Sequence, residues 1–304
     1  MGPEDFTNVR AVDCDDAEYF GMKRWSNSAL KLMPDRPEEF HGLYVADPPL
    51  WTFKVTDDMT LGTNVHGSLL EQKDLLVIPP DVLTSNGQRR GGKWEDWKAE
   101  HEHNPGLLPQ QVKKAKAMRE SALADPVIRK LLEADGEVEK AYLWEDSPTG
   151  LPFKMKLDKR AVFPNGWSLV DLKCTGLDAT DERIIGNHIA TMRYHRQMAM
   201  YADALTVLYG PPLLVAMVFI QNKPPYAATA WDTLGSDGPV LEIGRFQNRK
   251  ATDALADRLK SGSWHGDRFA RLSMVKFPKW AMDEDDAGPI PPASLFDEFA
   301  EYAT

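Results

Sequence analysis

The spacing of apolar positions changes character part-way along the chain. Before about residue 134, apolar residues recur every three or four positions, the period of a helix lying on a core. From Gly136 the spacing drops to two, the period of a half-buried strand. After Asp181 it returns to the helical period, interrupted by the unbroken apolar run LLVAMVFIQ at 213–221. A chain that alternates in this way predicts helices packed on a sheet.

The elements follow in order. Residues 1–24 read as an irregular lead-in, and Ser26 or Asn27 caps a helix over SALKLM that Pro34 and Pro37 end. PEEFHGLYV is a second short helix, and 46–60 is a loop. Residues 61–76 form a helix whose stripe is Leu61, Val65 and Leu69, with Gly62 and His66 four apart on one face. Residues 85–110 form a Gly-rich loop and a short helix carrying Trp94 and Trp97. These two rings are compatible either with gripping a nucleic-acid strand or with packing in a core. His101 and His103, two apart, face different sides of that helix. Two helices meet at Asp125-Pro126 within 109–134.

EVEKAYLWED then reads as one strand with Glu139, Ala141 and Leu143 on one side, ending at the turn SPTG. Residues 151–162 and 167–175 continue a meander, joined by a tight turn at Pro164-Asn165-Gly166. Residues 181–209 read as one long helix closed by Gly210 and Pro211, on which Gln197 and Tyr201 are i,i+4 partners. Residues 213–221 are a buried strand, 231–234 an edge strand, and EIGRFQNRKATDALADRLKSG a helix stopped at Gly262. An acidic linker and tail occupy 282–304; the tail's last ten residues can form a small amphipathic helix that docks on a partner or on its own body.

The stretch that draws attention is SLVDLKCT. Asp171 and Lys173 share one side of its strand and Leu172 the other, so two charges stand in an apolar strand. Burying charge is costly unless it is paired or bound to a metal. Asp158 lies on the neighbouring strand, close enough to be brought beside Asp171. Two carboxylates can hold Mg²⁺, and a nearby ammonium can orient a water or offset phosphate charge. The same triplet is also compatible with an ordinary salt-bridged face.

Composition narrows the field. At 304 residues the chain suits one large domain or two small ones. Two cysteines, Cys14 and Cys174, cannot supply an iron–sulfur cluster or a four-thiolate zinc site. No run of ~18 apolar residues predicts a membrane span. The acidic start lacks the apolar core of a signal peptide, and a reduced, cytoplasmic compartment is expected. A net charge of −10 argues against a protein that coats nucleic acid, but an enzyme acting on it needs only a local basic channel. Basic clusters occur at Arg89, Arg90 and Lys93; at Lys113, Lys114, Lys116 and Arg119; at Lys154, Lys156, Lys159 and Arg160; and at Arg193, His195 and Arg196.

The ordered set LGTNVH, EVEKAYLWEDSPTG, KMKLD, SLVDLKCT and QMAMY resembles the PD-(D/E)xK nuclease superfamily, in its RecE-like (exonuclease VIII) and RecB-like branch. Looser similarity in WSNSALKLMPDRPEEF, GSWHG and FPKW extends the resemblance over about 25–281. Two features depart from or vary the pattern: no Pro precedes Asp158, and Leu172 fills the middle of the D-x-K triplet. The resemblance implies an α/β (α+β) fold, a central mixed β-sheet flanked by helices. It implies that Asp158 and Asp171 ligate Mg²⁺, with Mn²⁺ able to substitute and the Leu172 carbonyl a further ligand. His66 would hold a second metal, and Glu139 would act through a metal-bound water. Lys173 would activate the water, while Gln197 and Tyr201 buttress Lys173 or contact DNA. Lys154 and Lys156 would track phosphates. The implied activity is 5′ to 3′ exonuclease digestion of linear double-stranded DNA from its ends, exposing 3′ single strands for phage or prophage recombination. The implied partners are DNA ends, a single-strand annealing protein or recombinase, and further copies of the chain in a ring. An endonuclease of the same fold and a non-catalytic DNA-end or recombinase-binding scaffold are the alternatives.

Overall fold

Strand β6 (Gly166–Thr175) is the axis of the molecule. The computed structural model describes residues 1–33, 35–52, 54–101, 104–233 and 239–266. β6 pairs antiparallel with β5 (Lys159–Phe163) across a tight turn at Pro164-Asn165, and parallel with β7 (Leu214–Gln221). With β2 (Gly136–Val138) and β8 (Ala228–Asp232), the described residues form a mixed five-stranded sheet of order β2-β5-β6-β7-β8. A second sheet joins β1 (Phe6–Val12), β3 (Ala141–Asp146) and β4 (Pro152–Lys156) in the order β1-β3-β4.

The parallel pair β6–β7 needs a long crossover. Helices α8 (Glu182–Thr191) and α9 (Tyr194–Tyr209) supply it. α9 lies on the face of the large sheet that carries Trp167, Leu169, Met217 and Phe219, and the small sheet adds Tyr142, Trp144 and Phe153 to the same core. α10 (Val240–Ser261) backs α9 and approaches it closely at Gly244, where a methyl group would lie 2.5 Å from the His195 carbonyl oxygen. α2 (Asn27–Leu30), capped by the Ser26 side chain, joins this layer, and α3 (Pro37–Tyr44) follows it. The opposite face carries Val170, Leu172 and Val218. It is covered by α4 (Asp57–Leu70), α6 (Pro109–Ala124) and α7 (Pro126–Glu133). Both faces of β6 are therefore buried, which is why its sequence is nearly continuous in apolar residues.

Several elements differ from the sequence reading. Residues 1–24 are ordered: β1 pairs with β3, and α1 (Asp16–Gly21) opens on a capping box between Asp15 and Glu18. EVEKAYLWED is two strands in two sheets. The chain turns at Glu139, whose φ is +49°. Its partner run 151–162 divides at Leu157 and Asp158 in the same way, into β4 and β5. The expected long helix over 181–209 breaks at Arg193, where φ is +56°. The linker and tail at 282–304, and the FPKW segment, lie outside the described residues. Among the described residues no helix is long and apolar enough to cross a membrane.

Candidate active site

The corner where the chain passes from one sheet to the other gathers the acids. Glu139 and Asp158 face each other there, tied by a Glu139 N–H to Asp158 carbonyl hydrogen bond of 3.1 Å. The next link is Leu157 N–H to the Lys140 carbonyl at 3.0 Å, so pairing continues through the bend. An irregularity in a strand pair re-aims side chains that a regular ladder would send to fixed faces. Glu139 holds a left-handed conformation that a non-glycine residue enters at a cost of about 1–3 kcal/mol.

Asp158 is then fixed to β6. Its Oδ2 accepts the Leu172 backbone N–H at 2.7 Å. Leu172 points its side chain into the α4 layer, and its strand neighbours Asp171 and Lys173 point the other way, toward α9. Gln197 on α9 donates its Nε2 to Asp171 Oδ1 at 2.7 Å. Lys173 Nζ lies 2.5 Å from Asp171 Oδ2. Both oxygens of the buried Asp171 carboxylate are thus engaged, one by an amide and one by an ammonium.

His66 reaches the same corner from α4, whose apolar stripe of Leu61, Val65 and Leu69 packs with Leu172. His66 Nδ1 is 3.7 Å from Asp158 Oδ2. One ligand atom each from His66, Glu139 and Asp158 falls within 4.8 Å of the others. The side chains of His66 and Asp158 are 23% and 16% exposed, so the group is recessed but open to solvent on one side.

The electrostatics follow from crowding. Burial and then the Asp171 charge push the Asp158 carboxyl up to about 7. Burial, with Lys173 next, pushes His66 down to about 4, so its ring is neutral at physiological pH and has a lone pair to offer. Glu139 is raised by burial and by Asp158, against the pull of Lys156. Burial acts to lower the Lys173 ammonium, but Asp171 and Asp158 outweigh it and the net shift is upward. Carboxylates that resist ionising together and a neutral imidazole within reach of them suit a divalent cation, whose charge would relieve the repulsion. The oxygen-rich donor set suits Mg²⁺ or Mn²⁺, and the imidazole nitrogen favours Mn²⁺ somewhat more.

Other expected site residues are placed differently. Lys154 is buried, and its ammonium donates to the Tyr19 and Met22 carbonyls at 2.7 and 3.0 Å; it anchors α1 and is no track for phosphates. Lys156 is held by Asp16 at 2.7 Å and Glu139 at 2.9 Å, so its charge is already spent on two carboxylates. Tyr201 is 7% exposed and belongs to the core beneath the acids, which removes it from a DNA backbone. Gln197 buttresses Asp171, where Lys173 was expected. Gly62 leaves 3.9 Å between a hypothetical methyl and Cys174 Cβ, an ordinary contact.

Two of the basic clusters, at 154–160 and 193–196, also disperse. Arg160 pairs with Glu137, Lys159 donates to the Ala134 carbonyl, and His195 contacts Gln247. Arg196 is buried and holds the Leu30 and Met33 carbonyls. On α5 (Gly92–Glu100), Trp94 is buried beneath the Arg89 guanidinium, and the half-buried Trp97 stacks on His101 with its Nε1 donating to the Pro105 carbonyl, so both rings have partners within the chain. His103 lies outside the described residues.

Two neighbours of the site carry no sequence signal of their own. Tyr194, one turn before Gln197 on α9, has the Lys173 ammonium 5.1 Å from its ring centroid and the Lys31 ammonium at 4.8 Å. Lys31 follows the one-turn helix α2, and only tertiary packing brings it here. Burial, then the charge of Lys173, lowers its ammonium to about 8.

A family model described as "PDDEXK-like domain of unknown function (DUF3799)" matches residues 28–244. No curated protein matches the chain. Among solved structures, a "Putative exonuclease" from Eubacterium rectale superposes with a TM-score of 0.58 at 16% identity, over 95% of this chain and 99% of that one. At that identity the likeness shows a shared fold.

Proposed function

The chain belongs to the family of PDDEXK-like domains designated DUF3799, and from that membership we propose that it is a divalent-metal-dependent deoxyribonuclease. The finer reading is an exonuclease that takes linear double-stranded DNA from its ends, 5′ to 3′, with Mg²⁺ as the cofactor. One observation supports the metal-dependent nuclease reading: Asp158, bound to the main chain of β6 at Leu172, stands beside Asp171, Lys173, Glu139 and His66 at a recessed, open corner.

Asp158, Glu139 and His66 would hold the ion, while Asp171, expected from the sequence as a ligand, stands beside that group with its two oxygens on Gln197 and Lys173. A bound divalent ion supplies Lewis acidity for phosphodiester hydrolysis and stabilises charge on the attacking and leaving oxygens. The remaining work belongs to the protein. Lys173 is positioned to orient the attacking water and to offset the charge that builds on the phosphate. Gln197 keeps Asp171 from rotating away by holding Oδ1. The Leu172 N–H does the same for Asp158. Lys156 restrains Glu139 from the far side.

The test is end-labelled linear duplex incubated with and without Mg²⁺. Metal-dependent release of nucleotides is expected from the wild type, and its loss in Asp171→Ala and Lys173→Ala. Cleavage of a closed circle would instead indicate an endonuclease, and metal binding by calorimetry without turnover on any DNA would leave only a scaffold.

A further inference from the structure

The metal-binding group and a pair of ammonium groups occupy different parts of the corner. His66, Glu139 and Asp158 lie on the α4 and sheet-corner side, where a cation fits. Ammonium groups lie on the α9 side, where Lys31 and Lys173 share the Tyr194 ring. Lys173 has a carboxylate partner in Asp171. Lys31 has no ion pair among the described residues. Asp35, the nearby acid in sequence, is taken by Arg193, which also binds the Lys31 carbonyl at 2.7 Å. Asp171 is already held by Gln197 and Lys173. Lys31 is half-buried and faces two further cations, Arg193 and Arg196. An aromatic face compensates a desolvated ammonium only in part. A cation kept short of anions at the edge of an open site is suited to an anion that arrives from outside.

We propose that Lys31 is a substrate-binding residue of this site, its ammonium receiving a non-bridging oxygen of the DNA phosphate next to the one that meets Lys173. Tyr194 sets the positions of the two ammonium groups, one for each phosphate. Arg193 fixes the Lys31 backbone, so the side chain projects from a rigid point. The inference rests on the nuclease reading and adds a residue outside the acid-and-lysine strand.

The experiment compares wild type, Lys31→Met and Lys31→Arg in the full chain. Binding of a fluorescent duplex in chelator is followed by anisotropy across a salt series, alongside steady-state cleavage with Mg²⁺ and thermal melting. Lys31→Met is expected to weaken DNA binding about tenfold and to lower the slope of log affinity against log salt by about 0.9. KM should rise about tenfold with a smaller change in kcat, and Lys31→Arg should restore most of both. The melting temperature of Lys31→Met should hold or rise, because a poorly compensated charge is removed; a lysine that serves only packing would lower it. If the wild type cleaves DNA while Lys31→Met matches it in KM and salt slope, the inference is overturned alone. If the wild type neither binds nor cleaves DNA, the inference and the nuclease reading fall together.

Discussion

Asp158 Oδ2 accepts the backbone N–H of Leu172 at 2.7 Å. The bond joins the bend between two sheets to the middle of the central strand, between Asp171 and Lys173. It costs the site no side-chain donor, because Leu172 spends its own side chain in the opposite layer. The carboxylate is thereby held in a place where it is reluctant to ionise, raised by burial and by Asp171.

Asp158→Asn tests that balance. The amide oxygen can still accept the Leu172 N–H, while the buried charge disappears. The metal-free melting temperature should stay level or rise, and the stabilisation that Mg²⁺ or Mn²⁺ gives the wild type should vanish. Cleavage should fall by at least about 10²-fold, the range lost when a group stabilising transition-state charge is removed. Differential scanning fluorimetry with and without metal reads the first two outcomes.

The pH dependence has a definite sign. Asp158, raised to about 7, contributes stability below its ordinary range of 3.8 that is lost as pH rises toward 7. His66, lowered to about 4, contributes stability above its ordinary 6.5 that is lost as pH falls toward 4. Between about pH 4 and 6.5 the two oppose each other, and above 6.5 only the Asp158 loss remains. A divalent ion prefers the ionised carboxylate and the neutral ring, so protons compete with it. The metal-induced rise in melting temperature should be larger at pH 8 than at pH 6. An equal or larger rise at pH 6 would contradict the placement of Asp158 in the metal group.

Gln197 is expected to act through Asp171 alone. Gln197→Ala should lower kcat about 10- to 100-fold, as loss of a group orienting a ligand does, with little change in melting temperature. Gln197→Glu should be worse, since it sets a carboxylate against Asp171 in place of a donor. Equal activity of wild type and Gln197→Ala in the nucleotide-release assay would remove Gln197 from the site.

Glu139 trades backbone comfort for position. Glu139→Gly relieves a left-handed φ of +49° and removes a carboxylate that burial disfavours. The variant should unfold at the same or higher urea concentration, by up to about 1 kcal/mol, while losing metal affinity. Lys156 keeps Asp16 as a partner, so it is not left alone in the variant. A less stable Glu139→Gly would mean that the carboxylate supports the fold.

The hydrophobic spacing alone determined most elements, because burial writes a period into the sequence. The stripe Leu61, Val65 and Leu69 gave the α4 helix, the run LLVAMVFIQ gave β7, and Pro164-Asn165-Gly166 gave the turn into β6. The alternation at Asp171, Leu172 and Lys173 was enough to put the two charges on one face and the leucine on the other, since a strand has no other choice. What the period could not express is where a strand changes sheets. Glu139 and Asp158 sit at such a change, and the conformation of Glu139 is one that no propensity favours, so their meeting depends on the two sheets closing over a common core. The same holds for charges: Lys154 and Arg196 look like surface cations in the sequence, and only the fold turns them inward onto main-chain carbonyls. Lys31 goes the other way. The segment around it resembles the family's opening helix, but only packing of α2 against α9 places its ammonium over Tyr194 at the site, because long-range contacts decide which charges find an anion and which do not.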